Sequence, residues 1–135
     1  MSSSTIVVGV DNSAESIAAL LWAADLAAGA GAHVLALHAE GLLEEGSFVP
    51  HVDVADLISR ALGDTDRSSS ITSLTEPGPP ADTLLRVAER IGAGHIVVGH
   101  RGAGDTGSDI GSTALSLVSR SPIPVTVVRS DSSTP

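Results

Sequence analysis

The chain has 135 residues and a formal net charge of −9, because sixteen acidic residues are opposed by seven arginines and no lysine. Phosphate backbones repel so acidic a chain, and Trp22 and Phe48 are its only large aromatic residues for stacking on bases, so we expect no nucleic-acid partner. It contains no cysteine, which excludes disulfides and thiolate metal sites, and its length predicts one domain, residues 1–135, with a buried core.

The first residues do not resemble a signal peptide. Met1–Thr5 contains no basic residue, and the first apolar run ends at Val10, which makes it too short for a signal core or a membrane span. We therefore expect a cytoplasmic protein without a membrane partner.

The opening part of the chain predicts a strand, a helix and a second strand. Thr5–Val10 is an apolar, largely β-branched run that is typical of a strand buried on both faces. Ser13 is the predicted N-cap of a helix whose apolar residues repeat at helical spacing until Gly29 and Gly31. His33–Ala39 predicts the second strand, and the short connections imply a right-handed crossover between two parallel strands.

The middle of the chain is less regular. Glu40–Val52 combines glycine, proline and acidic residues and is predicted to be a loop. Asp53–Leu62 predicts a short helix, and Arg67–Thr75, which alternates weakly, predicts a third strand at a sheet edge. Pro77–Pro80 is a rigid break before the helix predicted over Ala81–Ile91.

The last part of the chain continues the alternation around a glycine-rich segment. Ile96–Gly99 predicts a fourth strand, Ser112–Arg120 a fourth helix and Val125–Arg129 a fifth strand, and Ser130–Pro135 is predicted to be a flexible tail. Strands and helices that alternate in this way predict an α/β fold, namely a three-layer, doubly wound parallel sheet of five strands.

Glycines are concentrated between the fourth strand and the fourth helix. They let backbone N–H groups converge on an anion, and the N-terminus of the following helix adds partial positive charge. This segment therefore predicts a phosphate site. The glycines are Gly99, Gly102, Gly104, Gly107 and Gly111.

Two stretches of the chain resemble the universal stress protein family. The C-terminal stretch has two glycines separated by two residues, followed by a Gly-Ser pair and a final strand. The N-terminal stretch is the opening strand, which ends in Asp-x-Ser. The matching residues are Gly99, Gly102, Gly111, Ser112, Pro124–Val128 and Ile6–Ser13.

The resemblance has implications for fold, ligand and assembly. It implies the adenine nucleotide alpha-hydrolase-like fold with strand order 3-2-1-4-5, binding of ATP, and a homodimer in which Pro124–Arg129 pairs antiparallel with a second copy. In that strand order the first and fourth strands are neighbours, so Asp11 is expected beside Gly99–Gly102 at the carboxyl edge of the sheet, where such folds bind ligands.

The resemblance also implies which residues hold the nucleotide. Asp11 resembles the residue that contacts the ribose or its metal, and Ala39 matches the position whose main chain meets the adenine edge. Arg101, the basic residue of the loop, is expected to neutralise phosphate charge. The predicted binding residues are Asp11, Ala39, Gly99, Arg101, Gly102, Gly111, Ser112 and Thr113.

Structural interpretations of these residues remain open. The glycines also permit a tight strand-to-helix turn, and Ser112 also starts a helix. Asp11 is favourable at a helix N-terminus without any ligand, and Arg101 is also consistent with a solvated loop arginine.

The loop itself departs from the family pattern. Eight residues separate Gly102 from Gly111, whereas nine are found in nucleotide-binding members. Asp105 and Asp109 repel a triphosphate unless Mg²⁺ or Mn²⁺ bridges them to it.

Two functions follow from these observations. The first is a stress-response regulator that binds ATP with Mg²⁺ and acts as a homodimeric, nucleotide-dependent switch, and the second is a dimeric interaction module of the same fold that binds no nucleotide. Catalysis has little support, because the chain has no lysine for a Walker A motif, no cysteine nucleophile and no Ser-His-Asp elbow. At most we expect slow ATP hydrolysis, and we assign no catalytic residue and no metal-ligating residue.

Overall fold

A computed structural model describes residues 5–11, 13–40, 53–63, 70–101 and 110–130 of the chain. Strands and helices alternate along these residues. They are β1 (Thr5–Gly9), α1 (Ala14–Ala30), β2 (His33–Glu40), α2 (Val54–Leu62), β3 (Ile71–Pro77), α3 (Pro80–Ile91), β4 (His95–Gly99), α4 (Ser112–Arg120) and β5 (Val125–Val128).

The five strands form one parallel sheet in the order β3-β2-β1-β4-β5. In the middle of the sheet, Val7 of β1 lies opposite Leu35 of β2 on one side and Ile96 of β4 on the other. The predicted doubly wound sheet and its strand order are therefore confirmed. The order reverses between β1 and β4, which makes their carboxyl ends the switch point of the fold.

Side chains of the central strands alternate between two layers of helices. Val8 and Val97 pack with α1 and α2 on one face, whereas Val7 and Val98 pack with α3 and α4 on the other. Both layers are filled by aliphatic side chains, which is why the central strands read as continuous apolar runs in the sequence.

The ends of α1 are fixed as the sequence predicts. The Ser13 hydroxyl accepts a hydrogen bond from the Ser16 N–H at 3.1 Å, as an N-cap does. At the other end Gly31 has φ 66°, a left-handed conformation that glycine adopts without steric cost. Helix α3 begins at Pro80, one residue before the predicted start. Proline fits the first position of a helix because an N–H group there would have no acceptor within the helix.

The third strand is displaced from its predicted position. The prediction was Arg67–Thr75, of which residues 67–69 lie outside the described part of the chain. Ser70 is in a turn and β3 spans Ile71–Pro77, so the strand ends later than predicted. Its limits are set by parallel pairing with β2, from Val34 opposite Ile71 to Glu40 opposite Pro77. A proline is tolerated at the last position of such an edge strand.

The remaining differences lie at element ends. Glu40, predicted to open a loop, is the last residue of β2, and β5 ends at Val128 rather than Arg129. The predicted loop over residues 41–52 and the predicted tail over residues 131–135 lie outside the described residues. None of the described helices has the length and hydropathy needed to cross a membrane.

Candidate functional site

A cleft opens at the carboxyl edge of the sheet, at the switch point. Strands β1, β2 and β4, with the residues that directly follow β1 and β4, contribute residues 9–11, 37–39 and 98–101 to its wall. Helices α1, α3 and α4 begin at the same edge, and each contributes residues at or near its N-terminus. These residues are Ser13, Ser16, Pro80, Leu84, Gly111, Thr113 and Ala114.

Asp11 is built into the turn between β1 and α1. Its carboxylate Oδ1 accepts a hydrogen bond from the Ser13 N–H at 2.7 Å. The Ser16 hydroxyl donates to the Asp11 carbonyl at 2.8 Å and accepts from the Asp11 N–H at 3.1 Å. Asp11 therefore lines the cleft and also stabilises the start of α1, so both interpretations of this residue agree with its geometry.

Helix α4 presents its N-terminus to the cleft. Gly111 occupies the N-cap position with φ −69° and ψ 163°, none of the described side chains caps the helix, and its first turn carries no acidic residue. The Gly111 N–H donates to the His100 carbonyl at 2.8 Å, which ties the start of α4 to the end of β4. The first N–H groups of a helix have no acceptor within the helix and carry partial positive charge, so this end suits an anion.

A second helix N-terminus borders the same cleft without a side-chain cap. Pro79 occupies the N-cap position of α3, and a proline there offers no side-chain acceptor. Pro80 and Leu84 of this helix line the cleft. Among the described residues of the wall, Asp11 supplies the only carboxylate. Asp82, in the first turn of α3, does not line the cleft and pairs with Arg120.

Gly99 and Gly9 allow helices to approach the strand ends. A β-carbon on Gly99 would lie 2.6 Å from the Glu15 Cβ and 2.8 Å from the Glu15 carbonyl carbon. A β-carbon on Gly9 would lie 3.0 Å from Leu84 Cδ1. The glycine at position 99 is therefore required for packing of α1 on β4, a reason that is independent of any ligand.

Arg101 is a positively charged residue on the wall of the cleft. Its side chain is 32% exposed, and its Nη2 lies 3.9 Å from Oε1 of Glu15. That distance is too long for a hydrogen bond, so the pair is a charge contact. The other carboxylate oxygen of Glu15 accepts a hydrogen bond from the Ser130 hydroxyl at 3.1 Å.

His38 joins β1 and β2 at the base of the cleft. Its side chain is buried, and its Nδ1 lies 3.0 Å from the Val10 carbonyl oxygen. Because a carbonyl oxygen only accepts, Nδ1 donates this hydrogen bond. Within the described part of the chain, Nε2 is buried and has no hydrogen-bond partner.

The structure brings most of the predicted binding residues to one place. Ser112 is the exposed first residue of α4 and is not part of the wall, and Gly102 lies outside the described residues. Those that line the cleft are Asp11, Ala39, Gly99, Arg101, Gly111 and Thr113.

Other wall residues had no motif to reveal them. Pro80 and Leu84 reach the cleft because a doubly wound topology starts α3 at the same edge as α4. The sequence showed only a proline-rich break that ends at Pro80 and a helical repeat that includes Leu84. Within the described ranges no group of three or more histidines or acidic residues is arranged to hold a metal ion.

Solved structures with the same fold include several universal stress proteins. UspA from Lactobacillus plantarum is 21% identical, with 96% of this chain and 99% of that chain covered and a TM-score of 0.71. A universal stress protein in complex with cAMP is 24% identical, with 96% and 99% covered and a TM-score of 0.70. The Archaeoglobus fulgidus protein in complex with dAMP is 22% identical, with 95% and 99% covered and a TM-score of 0.66.

Sequence identities at this level show the fold, which is the adenine nucleotide alpha-hydrolase-like fold. No curated protein matches the chain by sequence. The model of the universal stress protein family matches residues 3–129, which include the opening strand, the glycine-rich segment and β5. The chain is therefore a member of the universal stress protein family.

Proposed function

We propose that this protein is a regulator that binds an adenine nucleotide, ATP with Mg²⁺, in the cleft at the switch point. The observation that carries the proposal is the N-terminus of α4, where Gly111 stands at the N-cap position, together with Arg101, both on the wall of the cleft. Backbone N–H groups and a guanidinium are the donors that phosphate oxygens prefer. The cAMP and dAMP complexes of proteins with this fold support the choice of an adenine nucleotide.

Each part of the nucleotide has a matching group in the wall. The phosphates would lie against the first turn of α4 at Gly111 and Thr113 and against Arg101. The ribose would lie near Asp11, and the main chain at Ala39 would meet the adenine edge. Asp11, the one carboxylate of the described wall, would be the residue able to hold Mg²⁺, which would neutralise charge at the phosphates.

The regulatory output proposed here is occupancy rather than turnover. The surface around the α4 N-terminus would differ between the occupied and the empty cleft, and a partner protein would recognise the occupied form. The signal would then not depend on the rate of ATP hydrolysis. This agrees with a chain that has no lysine for a Walker A motif and no cysteine nucleophile.

Calorimetric titration of the nucleotide-stripped protein with Mg·ATP tests the proposal. The informative variant is Thr113→Glu, because a carboxylate in the first turn of α4 favours the helix and repels phosphate. Like charges about 5 Å apart repel by about 3 kcal/mol at an effective dielectric constant near 20. We expect affinity to fall more than tenfold in Thr113→Glu and much less in Thr113→Gln, which has the same size without the charge.

Absence of heat and of any thermal shift at millimolar Mg·ATP in the wild-type protein would refute nucleotide binding. The chain would then be the second kind of protein considered from its sequence, a dimeric interaction module. Equal losses in the Glu and Gln variants would indicate steric closure of the cleft instead of charge repulsion.

The proposal includes a homodimer formed through β5. This strand is at the edge of the sheet, and its outer N–H and C=O groups have no neighbouring strand among the described residues. Paired edges avoid aggregation, and in an antiparallel pair each copy would use the same surface.

Exposed apolar side chains on both sides of β5 support this dimer. On α1, Trp22 and Leu26 lie on the helix side that faces β5, since Glu15, two turns before Trp22, contacts Ser130 just after β5. On α4, Leu115 and Val118 lie roughly opposite Arg120, which pairs with α3. We call Trp22, Leu26, Leu115 and Val118 the β5 rim.

A further inference from the structure

Glu15 is a carboxylate that stands next to the cleft without lining it. It lies in the first turn of α1, and its side chain is only 12% exposed. Arg101 belongs to the wall of the cleft, whereas Glu15 and Ser130 do not. Glu15 therefore contacts a wall residue without itself being part of the wall.

Glu15 is held in place by contacts on two sides. Its backbone packs against Gly99 so closely that a β-carbon there would lie 2.8 Å from the Glu15 carbonyl carbon. Its Oε2 accepts the hydrogen bond from the Ser130 hydroxyl at 3.1 Å. Oε1 is thereby directed toward Arg101, with 3.9 Å between it and Nη2.

We infer that Glu15 is a positioning residue that holds the Arg101 guanidinium at the phosphate end of the cleft. The inference rests on the proposed nucleotide binding. An arginine side chain has many rotamers, and immobilising such a side chain on binding lowers affinity. A carboxylate fixed beside the guanidinium removes part of that cost in advance, and at 3.9 Å it does so by charge and not through a hydrogen bond.

If Glu15 acted only through its negative charge, it would weaken nucleotide binding, which is opposite to the effect of a positioning residue. A carboxylate near a phosphate site repels the phosphate, so its removal should strengthen nucleotide binding if Glu15 had no positioning role. The sign of the change in affinity therefore separates the two roles of Glu15.

The test is calorimetric titration of Glu15→Gln with Mg·ATP. Glutamine keeps the length of the side chain and an acceptor for Ser130 but removes the charge that orients Arg101. We expect affinity to fall roughly two- to tenfold, the range that corresponds to ordering one long side chain. The matched control is Glu89→Gln, which removes an exposed carboxylate from α3 away from the cleft wall and should leave affinity unchanged.

A double-mutant cycle with Arg101→Gln provides the readout that a merely structural role would not move. Once Arg101 is removed, Glu15→Gln should cause no further loss of affinity, because the group that Glu15 positions is absent. A further loss of similar size in that background would overturn the inference. So would an affinity of Glu15→Gln that equals or exceeds that of the wild-type protein.

Ser130→Ala keeps the test decisive if Glu15→Gln folds poorly. It leaves both charges in place but releases one anchor of the carboxylate, so it should weaken Mg·ATP binding in the same direction and lose its effect in the Arg101→Gln background. Unchanged binding in Ser130→Ala, with Glu15→Gln unfolded, would overturn the inference. Absence of binding by the wild-type protein would instead refute the proposed function, and the inference with it.

Discussion

The first turn of α1 packs so closely on the end of β4 that a β-carbon on Gly99 would lie 2.6 Å from the Cβ of Glu15. Gly99→Ala should therefore destabilise the fold by about 1–3 kcal/mol, the usual cost of overpacking. Urea unfolding followed by Trp22 fluorescence measures the change in the free energy of unfolding.

Gly29→Ala is the matched control for this substitution. Gly29 lies within α1, and a β-carbon there would meet no atom within 4 Å. Alanine is favoured over glycine in a helix, so this variant should be more stable by up to about 1 kcal/mol. If Gly99→Ala were as stable as the wild-type protein, α1 would be able to shift away from the new β-carbon. The glycine would then be needed only for ligand binding.

The two roles of Asp11 are separable by two substitutions. Asp11→Ala removes the acceptor for the Ser13 N–H and should cost about 1 kcal/mol of stability. Asp11→Asn keeps that acceptor and should be nearly as stable as the wild-type protein. If the carboxylate serves Mg²⁺ or the ribose, Asp11→Asn should still weaken Mg·ATP binding by about 10- to 100-fold, as loss of a charged contact does. Calorimetry that gives equal affinities for Asp11→Asn and the wild-type protein would assign Asp11 to the turn alone.

Sequence patterns predicted the parts of the fold that local chemistry decides. Buried strands such as Thr5–Gly9 are marked by continuous apolar runs, and the caps of α1 by Ser13 and Gly31. The limits of β3 were predicted wrongly. Its only large apolar residues, Ile71 and Leu74, do not follow the two-residue period of a strand and therefore do not mark its ends. Pairing with β2 fixes those ends, and pairing is not a local property.

The candidate site was predictable only where a motif marked it. Asp11 and Gly111 stood out by their positions at a strand end and a helix start, and both line the cleft. The contact between Glu15 and Ser130 joins residues 115 positions apart. Such a contact depends on the packing of α1 over β4 and β5, so the sequence indicated only an acidic residue in a first helical turn.

His95 should make stability depend on pH. Burial lowers the pKa of its imidazole below the usual 6.5, while its Nε2 is hydrogen-bonded to Thr126 Oγ1 at 2.7 Å and its ring lies 6.2 Å from that of Trp22. The unfolded chain then binds a proton more readily than the folded protein. Stability from this residue is therefore complete above pH 6.5 and decreases as the pH falls toward the lowered pKa.

Comparison with His95→Gln isolates this contribution. Glutamine retains hydrogen-bonding capacity toward Thr126 but does not titrate, so its free energy of unfolding should decrease less between pH 7 and pH 5, an interval of about two units around the ordinary histidine pKa. Urea unfolding across that interval is the measurement. Parallel pH profiles for the two proteins would contradict the prediction.

The β5 rim predicts which surface substitutions disrupt the proposed dimer. Val118 is 56% exposed, so Val118→Asp should fold normally, yet a dimer through β5 would bury the new carboxylate without a partner. We expect the dissociation constant of the dimer to rise more than tenfold, measured by sedimentation over a dilution series.

Ile91→Asp is the control, because Ile91 is also exposed, at 41%, but lies at the far end of α3, where it should not affect a β5 dimer. Equal weakening by both variants would point to a different interface, and a wild-type protein that stays monomeric at high micromolar concentration would rule out the dimer altogether.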